Sequence, residues 1–191
     1  MMSPDWPSLR EVAFGQAGCF SVDQARQAGF SPQLLSKHVG GQLERPLRGV
    51  YRLAHLPASS DEEFVVAWLW SNREAVISHE SALRFYDLSD TLPNRIHLTM
   101  PTSTSRRRIP PLYRPHHATV DPRDRSWIGP VPVTTPARSV IDVANLNGDP
   151  DIVEQAIHDG IYRRLFRARD VAVAFVYLST PPALPRRQGD L

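Results

Sequence analysis

Ser21-Val22-Asp23-Gln24-Ala25-Arg26-Gln27-Ala28-Gly29-Phe30-Ser31-Pro32-Gln33-Leu34-Leu35-Ser36-Lys37-His38-Val39 is the stretch that decides the fold. Ser21 and Gln24 have capping-box spacing, which opens a short helix whose inward positions, Ala25 and Ala28, are small, and Gly29 ends it. Ser31 then caps a second helix whose first position is Pro32, where the missing N–H costs nothing. Two short helices joined by a tight turn containing Gly have helix-turn-helix spacing. On a 100° wheel Leu35 and Val39, with Leu34 at the margin, form the inner face of the second helix. Gln33, Ser36, Lys37 and Gly40 fall on the outer one.

On the N-terminal side, Ser8-Leu9-Arg10-Glu11 reads as a capping box for a preceding helix, with Leu9, Val12, Ala13 and Ala17 as its apolar stripe and Gly18 as its stop. On the C-terminal side, Gly41 to Leu53 holds two β-prone runs around a Pro- and Gly-containing turn, which reads as a hairpin. Three helices followed by a hairpin bearing Arg45, Arg48 and Arg52 make a winged helix-turn-helix over residues 1–56. His55 to Ser60 reads as the linker.

The remainder mixes helices and strands. Helices are expected from Ser60 to about Ser71, from Ser78 to about Tyr86, from Thr135-Pro136 on Val140, Ile141, Val143 and Ala144, from Asp149-Pro150 to about Asp159, and around Ala168 to Tyr177. Arg95-Ile96-His97-Leu98-Thr99-Met100 alternates and predicts a strand buried on one face, and a second strand is expected over Leu112 to Thr119. The reading is therefore α+β: an N-terminal winged helix-turn-helix at 1–56, a smaller-sheet α+β domain at 57–178, and a Pro-rich tail at 179–191.

Composition narrows the function classes. The 191 residues carry a formal charge of +2, 41% hydrophobic and 22% charged residues, in the soluble globular range. A single Cys, Cys19, cannot form an internal disulfide, which removes the small secreted scaffolds. No run reaches the ~18–20 apolar residues of a membrane span, and Asp5 and Glu11 stand where a signal peptide would be basic and then apolar, so a cytoplasmic protein is expected. Charge is segmented: +2 over residues 1–56, −4 over 57–104 and +4 over 105–191. Lys37 is the only lysine beside 21 arginines. Arg is the side chain whose planar fork suits phosphates and guanine edges, although a GC-rich genome would produce the same bias.

These features point to double-stranded DNA as the partner. The helix from Ser31 would enter the major groove with Gln33, Ser36 and Lys37 near base edges, while Ser31 and the helix-start amides lie near a phosphate. Arg45, Arg48, Tyr51 and Arg52 would touch backbone or the adjacent minor groove. His38 is expected to pack against the hairpin. Arg106-Arg107-Arg108 is either a second phosphate contact or a solvated loop. His79-Glu80 lacks the second His of a zincin helix, and His116-His117 sit on opposite faces of a strand, so neither these nor Asp121 and Asp124 predict a metal. Cys19 reads as core. No catalytic residue and no cofactor is expected.

The segments Phe20-Ser21 through Gln24-Ala25, Ala28-Gly29-Phe30-Ser31, Leu43-Glu44-Arg45 and Arg48-Gly49-Val50-Tyr51-Arg52-Leu53 resemble the N-terminal winged helix of AbiEi-type antitoxins, regulators of type IV toxin–antitoxin systems. Ala75 to Leu83, Ile96 to Thr99 and Pro132 to Asp142 resemble the stretch that follows, so the likeness runs over roughly residues 8–165. It implies a prokaryotic repressor binding inverted repeats in its own promoter, and a second domain that neutralises a nucleotidyltransferase toxin without a stable complex. Relatives commonly continue past the point corresponding to Leu178, some into an endonuclease-like domain. A metal-dependent nuclease using His117 and Asp121, and a winged helix that binds protein instead of DNA, are the alternative readings.

Overall fold

Ser21 Oγ accepts from the Gln24 amide while the Gln24 side chain accepts from the Ser21 amide, so the capping box forms in full and starts helix α2 (Val22–Gln27). Ser31 Oγ likewise accepts from Leu34 N and starts α3 (Pro32–His38). The computed structural model describes residues 3–90, 93–104, 108–146 and 148–179. The tail at 180–191, together with Arg106 and Arg107, lies outside the described residues.

Helix α1 is Trp6–Phe14, not a helix opened by Ser8. Asp5 is the cap, its carboxylate accepting from Ser8 N, and Pro7 occupies the first turn. Among the described residues two sheets form, and the smaller belongs to the winged helix: β1 (Cys19–Ser21), β2 (Leu43–Leu47) and β3 (Val50–Leu53), antiparallel, in the order β1-β3-β2. Gly49, at φ +87°, makes the β2–β3 turn, a conformation that a residue with a Cβ adopts only at a cost. Leu9, Phe20, Phe30, Leu35, Leu43 and Leu53 fill one core between the three helices and this sheet. Val39 does not join them, because α3 has ended and its backbone is extended; it is 39% exposed.

The larger sheet has the order β6-β5-β4-β8-β7, built from β4 (Val76–Ile77), β5 (Ile96–Met100), β6 (Tyr113–His117), β7 (Arg125–Ile128) and β8 (Val131–Thr134). It is mixed: β5 and β6 are parallel, as are β4 and β8, while β4 and β5 are antiparallel. The second half thus holds the larger sheet, where a smaller one was expected. Every residue of β5 is buried, polar ones included, so the alternation in its sequence does not mark a solvent face. Helix α4 (Glu62–Trp70) contacts β1, β2, β3 and β4, and six consecutive residues, Phe64 to Leu69, are buried.

By compactness the chain forms two units, Met1–Ile77 with Arg95–Val133, and Ser78–Asn94 with Thr134–Leu191. The second unit packs α5 (His79–Phe85), α6 (Pro136–Asn145), α7 (Pro150–Tyr162) and α8 (Ala172–Ser179) around Leu83, Val140, Val143, Val153 and Phe166. Ile141 is only half-buried; Asp142 takes the inner position and binds Arg138 at 2.7 Å. Gly160 admits the Phe166 ring where a Cβ would lie about 2 Å from it, which fixes that residue as glycine.

In the larger sheet, His97 and His116 lie on adjacent parallel strands with Nδ1 and Nε2 3.4 Å apart. Burial, the neighbouring ring and Arg114 push His97 down to about 4, and burial, Arg114 and His117 do the same to His116. Both are therefore neutral in the folded protein near pH 7. A histidine whose folded pKa lies below its unfolded value contributes full stability above the unfolded value, near 6.5, and loses it as pH falls toward 4. Urea unfolding followed by tryptophan fluorescence is expected to show a midpoint that declines across that interval, with a shallower decline for His116→Gln. Equal declines in the two proteins would remove the pair as the cause.

Candidate nucleic-acid interface

The outward face of α3 is set by its cap and its anchor. Ser31 fixes the first turn, Leu35 is fully buried, and the period of the helix then leaves Gln33, Ser36 and Lys37 exposed together. His38, at the end of α3, meets Trp6 edge-on at 5.1 Å, so its neighbour is α1, where the hairpin was expected. Trp6 also meets Phe30 edge-on at 4.8 Å, which ties the turn between α2 and α3 to α1.

The wing contributes two exposed cations. Arg45 projects from β2 with its guanidinium carbon 5.7 Å from the centre of the Tyr51 ring, a cation–π contact that limits where the charge can go. Arg48 is exposed at the turn beside Gly49. With Lys37 these make three exposed positive charges on α3 and the wing.

Tyr51 and Arg52, expected beside them, are buried. Tyr51 lies directly across from Phe20 in the β1–β3 register and stacks on it at 5.9 Å with planes 15° apart. Arg52 is paired in register with Cys19 on one side and Glu44 on the other. Its guanidinium donates to Glu44 at 2.8 Å, to Glu62 of α4 at 2.9 Å and to the Leu56 carbonyl. The cause is layering: Tyr51 faces the core shared with the three helices, and Arg52, on the opposite face of β3, points to where α4 packs against the sheet. The Arg52–Glu44 pair is internally neutral, so the exposed surplus of residues 31–56 is still Lys37, Arg45 and Arg48.

Cys19 is buried in the same row as Arg52. Burial first, and then the Glu62 carboxylate, push its thiol up to about 12, so the thiolate a nucleophile needs is not populated near neutral pH. Of the other groups weighed in the sequence, His79 is buried beside Ser78 Oγ at 2.8 Å, and His116 is half-buried while the adjacent His117 is exposed, as strand alternation requires. Asp121 caps a short turn, accepting from Arg123 N, and the guanidinium of Arg123 adds to the backbone contact in holding its carboxyl below the usual range. Sequence reasoning missed the partners of Arg52; Glu62 is the one signal that could have found them, an acid at the start of the helix that follows the linker.

Residues 8–54 match the family described as "Transcriptional regulator, AbiEi antitoxin". That span coincides with the winged helix. No curated protein matches the chain. Among solved structures, the RV2827C protein from Mycobacterium tuberculosis is similar at 13% identity and a TM-score of 0.46, over 92% of this chain and 82% of that one. No helix among the described residues is long and apolar enough to cross a membrane.

Removing Arg52 leaves the partly buried Glu62 without its cation, while Glu44 is more than half exposed and stays solvated, so the expected cost is about 1–3 kcal/mol. Arg52→Ala is expected to lower the unfolding free energy by that order in urea denaturation followed by circular dichroism. A loss below about 1 kcal/mol would mean that the cluster behaves as a surface ion pair.

Proposed function

We propose that this protein is a sequence-specific DNA-binding regulator in which residues 1–56 carry the binding site and 57–178 form a second functional part. The observation that carries the reading is the coincidence of the AbiEi regulator match with a winged helix whose exposed polar residues converge on α3 and the wing. In this reading Lys37, Gln33 and Ser36 approach base edges in the major groove, and Arg45 and Arg48 hold the backbone or the adjacent minor groove. Ser31 works chiefly by fixing the start of α3, since its hydroxyl oxygen already serves Leu34. Tyr51 aims Arg45 by its ring face, and Arg52 holds the wing in place without touching DNA.

The family description names an antitoxin, and we propose further that this is the physiological role and that the DNA is the promoter of the protein's own operon. Opposition to a nucleotidyltransferase toxin without a stable complex, and a cytoplasmic setting, belong to the same proposal. An adjacent gene encoding such an enzyme, whose growth arrest is relieved by co-expression of this chain, would support it; persistence of the arrest would remove the antitoxin role and leave the regulator.

Fluorescence anisotropy with the region upstream of the protein's own gene, against a random duplex of equal length, tests DNA binding directly. Affinity is expected to fall steeply with salt, by about 0.9 log–log units per phosphate contact. Lys37→Ala is expected to cost roughly 1–3 kcal/mol on the upstream duplex and less on random DNA, as a base contact does, with the unfolding midpoint unchanged. Arg48→Ala is expected to weaken both duplexes alike. Equal affinity of the wild type for the two duplexes at moderate salt would overturn sequence-specific regulation.

A further inference from the structure

Beside the wing turn lies an open cleft of about 550 Å³ whose lining includes Arg48 and Gly49 from the wing, Trp70 and Asn72 from the end of α4, and Arg108 and Pro110 from the segment before β6. Arg48 belongs to the proposed DNA-binding face; Arg108 comes from sixty residues further along the chain, in the run whose sequence fits either a second phosphate contact or a solvated loop. We infer that this cleft takes a phosphate of the DNA backbone, so that Arg108 extends the DNA footprint from the wing into the segment before β6.

Four observations support this. The lining holds two guanidinium-bearing residues and a side-chain amide and no carboxylate. Both arginines are exposed, and among the described residues neither belongs to a salt bridge, in contrast to Arg26, Arg52, Arg123, Arg138 and Arg169. Two like charges lining one cleft repel unless an anion lies between them, and a phosphate accepts hydrogen bonds from both guanidinium forks. The walls are also set by defined contacts. Trp70 is braced against Tyr113 with ring centres 5.1 Å apart, and Asn72 and Arg73 are both left-handed at φ +61° and +68°, which turns the chain sharply after α4 and leaves Asn72 in the lining. A free phosphate or a nucleotide has the same chemistry as a backbone phosphate; the position of the cleft at the wing turn favours DNA.

The inference rests on the DNA-binding reading of α3 and the wing, and it fails separately from it. The full chain is titrated with a random-sequence duplex over a range of salt, as wild type, Arg108→Ala and Arg108→Lys. Arg108 is exposed, so neither substitution disturbs a core. Arg108→Ala is expected to weaken binding and to reduce the salt slope by about 0.9, one phosphate contact. Arg108→Lys is expected to keep most of the slope, and the preference for the upstream duplex stays unchanged, since a phosphate contact carries no sequence information. A wild type that binds DNA with a salt slope identical to that of Arg108→Ala overturns the inference and leaves the regulator reading intact. Absence of salt-dependent binding by the wild type overturns both. An Arg108-dependent tryptophan fluorescence change with inorganic phosphate, alongside an unaltered DNA slope, overturns it in favour of a small-anion site.

Discussion

The buried guanidinium of Arg52 is the contact on which the arrangement of the winged helix depends. One side chain on the central strand holds the edge strand β2 through Glu44, the linker through the Leu56 carbonyl, and α4 through Glu62. A charge taken out of water must be matched on nearly all of its donors, and here the matching groups come from three successive segments of the chain. Arg52 thereby adds a side-chain tie between the wing and α4 to the strand pairing and core contacts of Leu43, Tyr51 and Leu53. It also means that the winged helix is not electrostatically complete at residue 56: cut there, the protein would keep Arg52 and lose the carboxylate of Glu62.

The elements legible in the sequence are those whose signals are local. The starts of α2 and α3 are written in four residues each, Ser21 to Gln24 and Ser31 to Leu34, and both form with the expected hydrogen bonds. The start of α1 is ambiguous in the sequence because Asp5 and Ser8 are both competent caps, and Pro7 in the first turn is the clue that decides for Asp5. Strands β1 and β4 have three and two residues, too short for a period of two to register. The burial of Arg52 is not local either: it depends on α4, whose Glu62 meets the guanidinium from ten residues further along the chain.

The candidate site divides along the same line. Gln33, Ser36 and Lys37 were legible because a helical wheel needs only the position of Leu35, whereas the wheel failed at Val39, where the helix had already ended. Arg45 and Arg48 were legible as hairpin cations, but the burial of Tyr51 and Arg52 depends on what packs over the two faces of β3, the helical core on one and α4 on the other. The near-neutral net charge of the whole protein is no guide to this surface. Arg52 and Glu44 pair with each other and cancel, and the three exposed cations Lys37, Arg45 and Arg48 stand on α3 and the wing. Arg108 illustrates a different limit: nothing in the sequence relates it to Arg48, and only the fold brings both to one cleft.

The sealed position of Cys19 has a practical consequence. Its sulfur is the single thiol of the chain, and the residue is fully buried in the β-sheet with its proton held up to about pH 12. The natural sequence therefore already behaves as a cysteine-free background toward maleimides and spin labels. A cysteine introduced at any exposed position can carry the only reactive probe, and the residue that anchors β1 need not be touched to place it.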